Sequence, residues 1–134
     1  MKIYKSKKEA KAIVHAQSTN ATAVSTHKKG IPSFHYMVAM AGGHDIKCAK
    51  YATYGTRELS KNILKALKNR SACLIANHGQ ITFGQSLEDA FELAEEVDNL
   101  AKQYIKALVL GRPKLLSLNE MKKVLSKSKT YKRG

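Results

Sequence analysis

Ala72-Cys73-Leu74-Ile75-Ala76-Asn77-His78-Gly79-Gln80-Ile81-Thr82-Phe83-Gly84 is the stretch whose reading decides the fold. Its first five residues are an apolar run of strand length, and the pattern predicts a buried strand over 72–76. Asn77 to Gln80 carries the residue types of a tight turn. Ile81 to Gly84 then returns as a second strand. The turn delivers His78 to the end of a sheet. A second segment repeats the theme: Ala12-Ile13-Val14-His15-Ala16 predicts a short buried strand with a histidine near its end, followed by Gln17 and Ser18. Two histidines carried to sheet ends look like two halves of one metal site. Side chains on a strand repeat with period two, so position 17 is where a partner of His15 on the same face is expected. That position holds Gln17.

The remaining elements follow from stop and start signals. Ser18, Thr19 and Asn20 offer N-caps for a short helix over 21–25. Lys28-Lys29-Gly30-Ile31-Pro32 is a turn, with helix disfavoured before the proline. Phe34 to Ala41 reads as a helix ended by Gly42-Gly43, and 45–49 alternates like a half-buried strand. After a loop over 51–55, Thr56 caps a helix whose face carries Leu59, Ile63, Leu64 and Leu67. Ser86 opens the longest helix, which runs to about Leu110, where Gly111 and Pro113 stop it. Ser117, with Glu120 in the capping-box position, begins a final short helix that ends in a basic tail over 127–134. No internal repeat or linker divides the chain, so residues 1–134 read as one domain.

Composition narrows the function classes. The chain has 134 residues, 24 Lys and Arg against 10 Asp and Glu, and a net charge of +14. A field of that size attracts anions: phosphorylated metabolites, nucleic acid or an acidic partner. The excess is lysine; arginine occurs only at Arg57, Arg70, Arg112 and Arg133. Base reading and bidentate phosphate clamping favour arginine, so a lysine-biased solvated surface is preferred over a nucleic-acid module. No run approaches the ~20 apolar residues of a membrane span, and no secretory signal follows the basic start. Cys48 and Cys73 lack zinc-knuckle spacing and read as free buried thiols of a reducing cytoplasm.

The ordered set His15-Ala16-Gln17-Ser18, Ile31-Pro32, His35-Tyr36-Met37, Ala41-Gly42-Gly43, Tyr51-Ala52-Thr53-Tyr54-Gly55-Thr56-Arg57-Glu58-Leu59-Ser60, Ala76-Asn77-His78-Gly79 and Lys129-Thr130-Tyr131 resembles the class II aldolase/adducin family. Within it the fuculose-phosphate aldolase branch is the most similar. The resemblance runs from about residue 8 to the end. It implies an α/β fold, an antiparallel β-sheet flanked by helices, in an oligomer with active sites between subunits. It also implies a zinc ion held by three histidines, and cleavage of a ketose 1-phosphate such as fuculose 1-phosphate to dihydroxyacetone phosphate and an aldehyde. His15 and His78 match the first and third zinc histidines, and Gln17 stands at the second. Tyr36 matches a tyrosine that donates a proton from a neighbouring subunit. Tyr54 matches an aromatic residue near the aldehyde, and Tyr131 a tyrosine of a mobile C-terminal tail that closes over the substrate.

The family's phosphate-gripping loops and the glutamate that takes the substrate proton have no counterpart in the chain. The expectation is therefore an N-terminally truncated, C-terminal portion of the family domain. Gln17 offers a neutral amide oxygen beside imidazoles, a poorer match for zinc than a third histidine. Three readings compete. The first is an aldolase portion, completed by a homo-oligomer or a separate N-terminal chain and inactive alone. The second is a non-catalytic, subunit-like remnant. The third is a basic phosphate- or nucleic-acid-binding module. A sheet lacking family strands would expose an edge and an apolar face, which predicts an oligomer or a poorly behaved monomer. His27, His35 and His44 read as surface or packing residues.

Overall fold

The computed structural model describes residues 11–133, with side chains described to residue 128. A four-stranded sheet has the order β1-β4-β3-β2, with β1 at Ala12–Ala16, β2 at Cys48–Ala49, β3 at Ala72–Ile75 and β4 at Gly79–Gly84. The helices are α1 (Thr19–Ser25), α2 (Arg57–Ala66), α3 (Leu87–Val109) and α4 (Leu118–Arg133), and Tyr36–Ala41 is a 3-10 helix. Among the described residues no helix is long and apolar enough to cross a membrane.

Period two sorts the central strands onto two cores. Ala72 and Leu74 of β3 face one core, with Val24, Val38, Val97, Leu100 and Met121. Cys73 and Ile75 face the other, with Ile81, Phe83, Leu59 and Ile63. Thus α1, the 3-10 helix, α3 and α4 cover one face of the sheet, and α2 covers the opposite face. β4 shows why the chain chose this register. Ile81 and Phe83 enter the α2 core, while Gln80 and Thr82 turn to α3 and are buried there. Their polar atoms are used: Thr82 Oγ1 donates to the Ala90 carbonyl at 2.7 Å, and Gln80 Nε2 donates to the Ala94 carbonyl at 2.9 Å. A buried amide or hydroxyl without such partners costs free energy. These bonds lock the register of β4 against the long helix.

The sheet is antiparallel across β1, β4 and β3, as the resemblance implies. The short β2 joins β3 in parallel, which makes the sheet mixed. The reason is connectivity: α2 lies between β2 and β3, and a helical crossover returns the chain in the same direction. Only Cys48–Ala49 of the predicted 45–49 strand pairs regularly, while Ile46 makes a single antiparallel bridge to Ile31. The predicted helix over 34–41 is a 3-10 helix, and Gly42 ends it at φ 93°.

Caps divide into those the sequence showed and one that it did not. Thr56, Ser86 and Ser117 each accept the backbone N–H three residues on, at 3.2, 3.1 and 3.1 Å. Ser18 sits at the cap position of α1 but makes no side-chain cap bond. Its hydroxyl accepts from Gln80 Nε2 at 3.0 Å instead. Asp98 of α3 caps α1 from across the fold. Its Oδ1 accepts from Asn20 N at 3.0 Å and Ala21 N at 2.8 Å. Finally, α4 does not stop before the basic tail but continues through it to Arg133.

Candidate metal centre at the strand ends

β1 runs antiparallel to β4, and β4 antiparallel to β3. β1, β3 and the parallel β2 therefore point the same way, and their C-terminal ends lie at one end of the sheet. His15 lies on the last turn of the pleat in β1. His78 lies in the turn that leaves β3, with its N–H donating to the Ile75 carbonyl at 3.0 Å. The loop that leaves β2 carries Tyr51 and Tyr54. Ala76 N donates to the Ala49 carbonyl at 3.0 Å, which ties the β2 and β3 ends together. Ligand sites in open α/β sheets form outside the carboxyl ends of strands.

The β1–β4 register brings the histidines into contact. His15 pairs with Ile81 and Ala16 with Gln80, so β1 passes directly beside Gly79. The two imidazoles meet edge to face, with centroids 4.7 Å apart and planes at 65°. Gly79 permits the approach: at φ 152°, a Cβ built on it would fall 2.3 Å from the Ala16 carbonyl oxygen and 3.3 Å from the Gln17 Cα. Gln17 is thereby held with its backbone against the residue that follows His78. Ser18 anchors the same corner through its bond from Gln80.

Electrostatics favour the ligand form of His15. Partial burial, and then the nearby His78 charge, hold the His15 imidazolium below its ordinary pKa. Neutral imidazole is the form that binds metal. With Zn–N bonds of about 2.0–2.1 Å, two rings on one ion have centroids roughly 5 Å apart. The observed separation fits a shared divalent ion. Among the described residues no group of three or more His, Cys, Asp or Glu side chains is placed to hold a metal.

The tyrosines make no ring contact with the histidine pair among the described residues. Tyr36 begins the 3-10 helix, is 54% exposed, and stacks on His35 at 4.9 Å rather than on the histidine pair. His35 in turn caps that helix, its Nδ1 accepting from Met37 N at 3.1 Å. Tyr54 is 81% exposed in the loop before α2. Tyr131 falls in the last turn of α4, and its side chain lies outside the described residues. Of the supporting residues, Ser18 read from the sequence only as a helix cap and Gly79 only as part of the turn, and the roles of Gln80 and Asp98 were not singled out. Gln80 alone left a signal, a polar residue in an apolar strand.

Comparison with known proteins identifies the family. The family described as Class II Aldolase and Adducin N-terminal domain matches residues 1–105. A 5-methylthioribulose-1-phosphate/5-deoxyribulose-1-phosphate aldolase of Rhodospirillum rubrum is 48% identical over 120 residues, covering 90% of this chain and 54% of that protein. An L-fuculose phosphate aldolase of Escherichia coli K12 is 48% identical over 132 residues, covering 98% of this chain and 61% of that protein. A solved L-fuculose 1-phosphate aldolase superposes with a TM-score of 0.90 at 42% identity, covering 95% of this chain and 59% of that one. The chain thus spans under two thirds of the length of these relatives.

Proposed function

The chain belongs to the class II aldolase and adducin family, and from that premise we propose that it carries the metal-holding part of a sugar-phosphate aldolase. The reaction is reversible cleavage of a ketose 1-phosphate, such as fuculose 1-phosphate, to dihydroxyacetone phosphate and an aldehyde. One observation carries the reading: His15 and His78, far apart in sequence, present their rings to each other at 4.7 Å at the strand ends.

His15 and His78 would hold the ion, with Gln17 Oε1 as a weak third donor. A divalent zinc, when bound, supplies Lewis-acid stabilisation for the negative charge that develops as the carbon–carbon bond breaks. The low pKa of His15 keeps its nitrogen free of a competing proton near neutral pH. Tyr36 would donate a proton to the departing product. Its exposed ring, away from the histidine pair, suits a residue that serves the site of a neighbouring copy, and so a homo-oligomer. Tyr54 would contact the aldehyde end of the substrate from the β2 loop, and Tyr131 would close over it from α4. Cys48 and Cys73 are not joined in a disulfide, which suits a reducing, cytoplasmic setting.

Gln17 sets the activity of this chain by itself. Two imidazoles and an amide hold zinc less tightly than three imidazoles. No residue of the described chain is placed as the general base, which must reach the substrate proton directly or through one water. The chain alone is therefore proposed not to turn over. Zinc binding measured by chelator competition tests this reading. Gln17→His should tighten binding by about 100-fold or more. Equal affinity of the two proteins, or measurable cleavage of fuculose 1-phosphate by the unaltered chain, would overturn it.

A further inference from the structure

We infer that Gln80 is a positioning residue of the histidine centre: with Ser18 and Asp98 it forms a clasp that holds the His15 segment against the His78 turn. The inference rests on the metal-holding reading above and extends it to side chains that are not themselves ligands. Among the described residues β1 lies at the edge of the sheet, bonded to β4 alone. Its ladder ends at Ala16, opposite Gln80. Gln17 and Ser18 lie beyond the ladder, and a strand end of this kind is where local opening starts. The contact at Gly79 sets how near β1 can come, but a contact alone does not keep it there.

The hold comes from α3. Ala94 and Asp98 are four residues apart on this helix, so they lie one turn apart on the same face. Gln80 Nε2 donates to the Ala94 carbonyl at 2.9 Å and to Ser18 Oγ at 3.0 Å. The Ser18 hydroxyl in turn donates to the Asp98 carboxylate. Asp98 also accepts from Asn20 N, Ala21 N and Asn20 Nδ2 at 3.0, 2.8 and 2.9 Å. Bonds to an ionised acceptor are stronger than neutral ones, so Asp98 is the fixed point. Three segments thus close into one ring: β4 two residues after His78, the chain three residues after His15, and one face of α3. Gln17 is fixed from both sides, by the ladder at Ala16 and by the clasp at Ser18.

Stability alone does not account for an amide at position 80. The side chain is 1% exposed, and its Oε1 is buried with no hydrogen-bond partner among the described residues. A buried acceptor in that state destabilises a fold, and an apolar side chain of similar shape does not. What the amide supplies is direction, toward Ser18 on one side and Ala94 on the other. Thr82 is the internal comparison. It lies two residues further along β4, is fully buried, and donates to the Ala90 carbonyl at 2.7 Å. Its side-chain bond stays between β4 and α3.

Four variants test the clasp. Gln80→Met keeps the length of the side chain and removes its donors. Ser18→Ala removes the middle of the clasp at a partly exposed position. Ser18→Thr keeps the hydroxyl, on an extended backbone (φ −67°, ψ 146°) that a β-branched residue accepts. Thr82→Val removes a buried bond of the same kind outside the clasp. In the metal-free protein, the nuclear Overhauser contact between the His15 and His78 rings should weaken in Gln80→Met and Ser18→Ala. It should persist in Ser18→Thr and Thr82→Val. Zinc affinity by chelator competition should fall about 10- to 100-fold in the first two and hold in the other two. An unchanged ring contact in folded Gln80→Met or Ser18→Ala would overturn the inference. So would equal losses in Thr82→Val, or an unchanged affinity where the unaltered chain binds zinc. An unaltered chain that binds no zinc sinks the metal-holding reading instead, and the ring contact then decides the clasp by itself. If Gln80→Met loses the fold, Ser18→Ala and its threonine rescue apply the same criteria.

Discussion

Gly79 and Ala16 approach so closely that a Cβ on Gly79 would lie 2.3 Å from the Ala16 carbonyl oxygen. This backbone contact, rather than a side-chain bond, sets the distance between the two histidines. β1 can run beside the turn after β3 only because residue 79 has no side chain.

Gly79→Ala should therefore act on stability and on the site together. The new methyl group must push β1 away, and the φ of 152° is one that L side chains rarely adopt. A loss of about 1–3 kcal/mol is expected, read as a lowered urea midpoint. Metal affinity should fall in the same variant because His15 and Gln17 move from His78. Unchanged affinity and stability would show that the strand contact is dispensable.

His15 should titrate below the ordinary histidine value, through burial first and the His78 charge second. The unfolded chain then takes up this proton first. The stability linked to neutral His15 is complete above about pH 6.5 and declines as pH falls through the lower folded value. His78→Ala removes one of the two causes. Its His15 resonance, followed by NMR, should titrate closer to the ordinary value than in the unaltered chain.

Asp98 carries the cap of α1. Burial pushes its pKa up, but hydrogen bonds from Ala21, Asn20 and Ser18 outweigh this and hold it below the usual carboxylate range. Because the folded value is depressed, its contribution is present above the unfolded value of about 3.9 and is lost as pH falls through the lower folded one. Asp98→Ala should cost about 1–2 kcal/mol at neutral pH, the scale of a lost N-cap. Its stability should also fall less steeply than that of the unaltered chain on acidification below about pH 4.

The thiols should be slow. Burial pushes the Cys48 thiol up to about 11, and Cys73 is fully buried. The reactive species is the thiolate, scarce at pH 8 for Cys48, and burial keeps reagents from Cys73. Reaction with a disulfide reagent should be slow in the native protein and fast in denaturant. Rapid native labelling of either thiol would contradict this packing.

Much of the scaffold is legible along the chain because its causes are local. Short apolar runs bounded by polar turns mark β1, β3 and β4. Thr56, Ser86 and Ser117 mark helix starts through bonds that reach only three residues. The histidines and the motifs around them identify the family without reference to shape. Gln17 was equally visible as the residue that departs from a three-imidazole site. The basic tail misled in one respect. Lysines at 127–132 read as a helix end, but lysine is a good helix former, and α4 continues through them.

What the tertiary structure alone decided are the relations between distant segments. Asp98 caps a helix 78 residues away at Asn20, where Ser18, Thr19 and Asn20 were the local candidates. Gln80 takes the Ser18 hydroxyl because β4 faces α3 on that side. The parallel direction of β2 follows from the α2 crossover, and it places the β2 loop at the same end as His15 and His78. Register has no local cause: one residue of slip would send every side chain of β1 to the other face. Sequence determined which imidazoles this protein carries near its strand ends; strand register and the missing side chain at Gly79 determined that they meet.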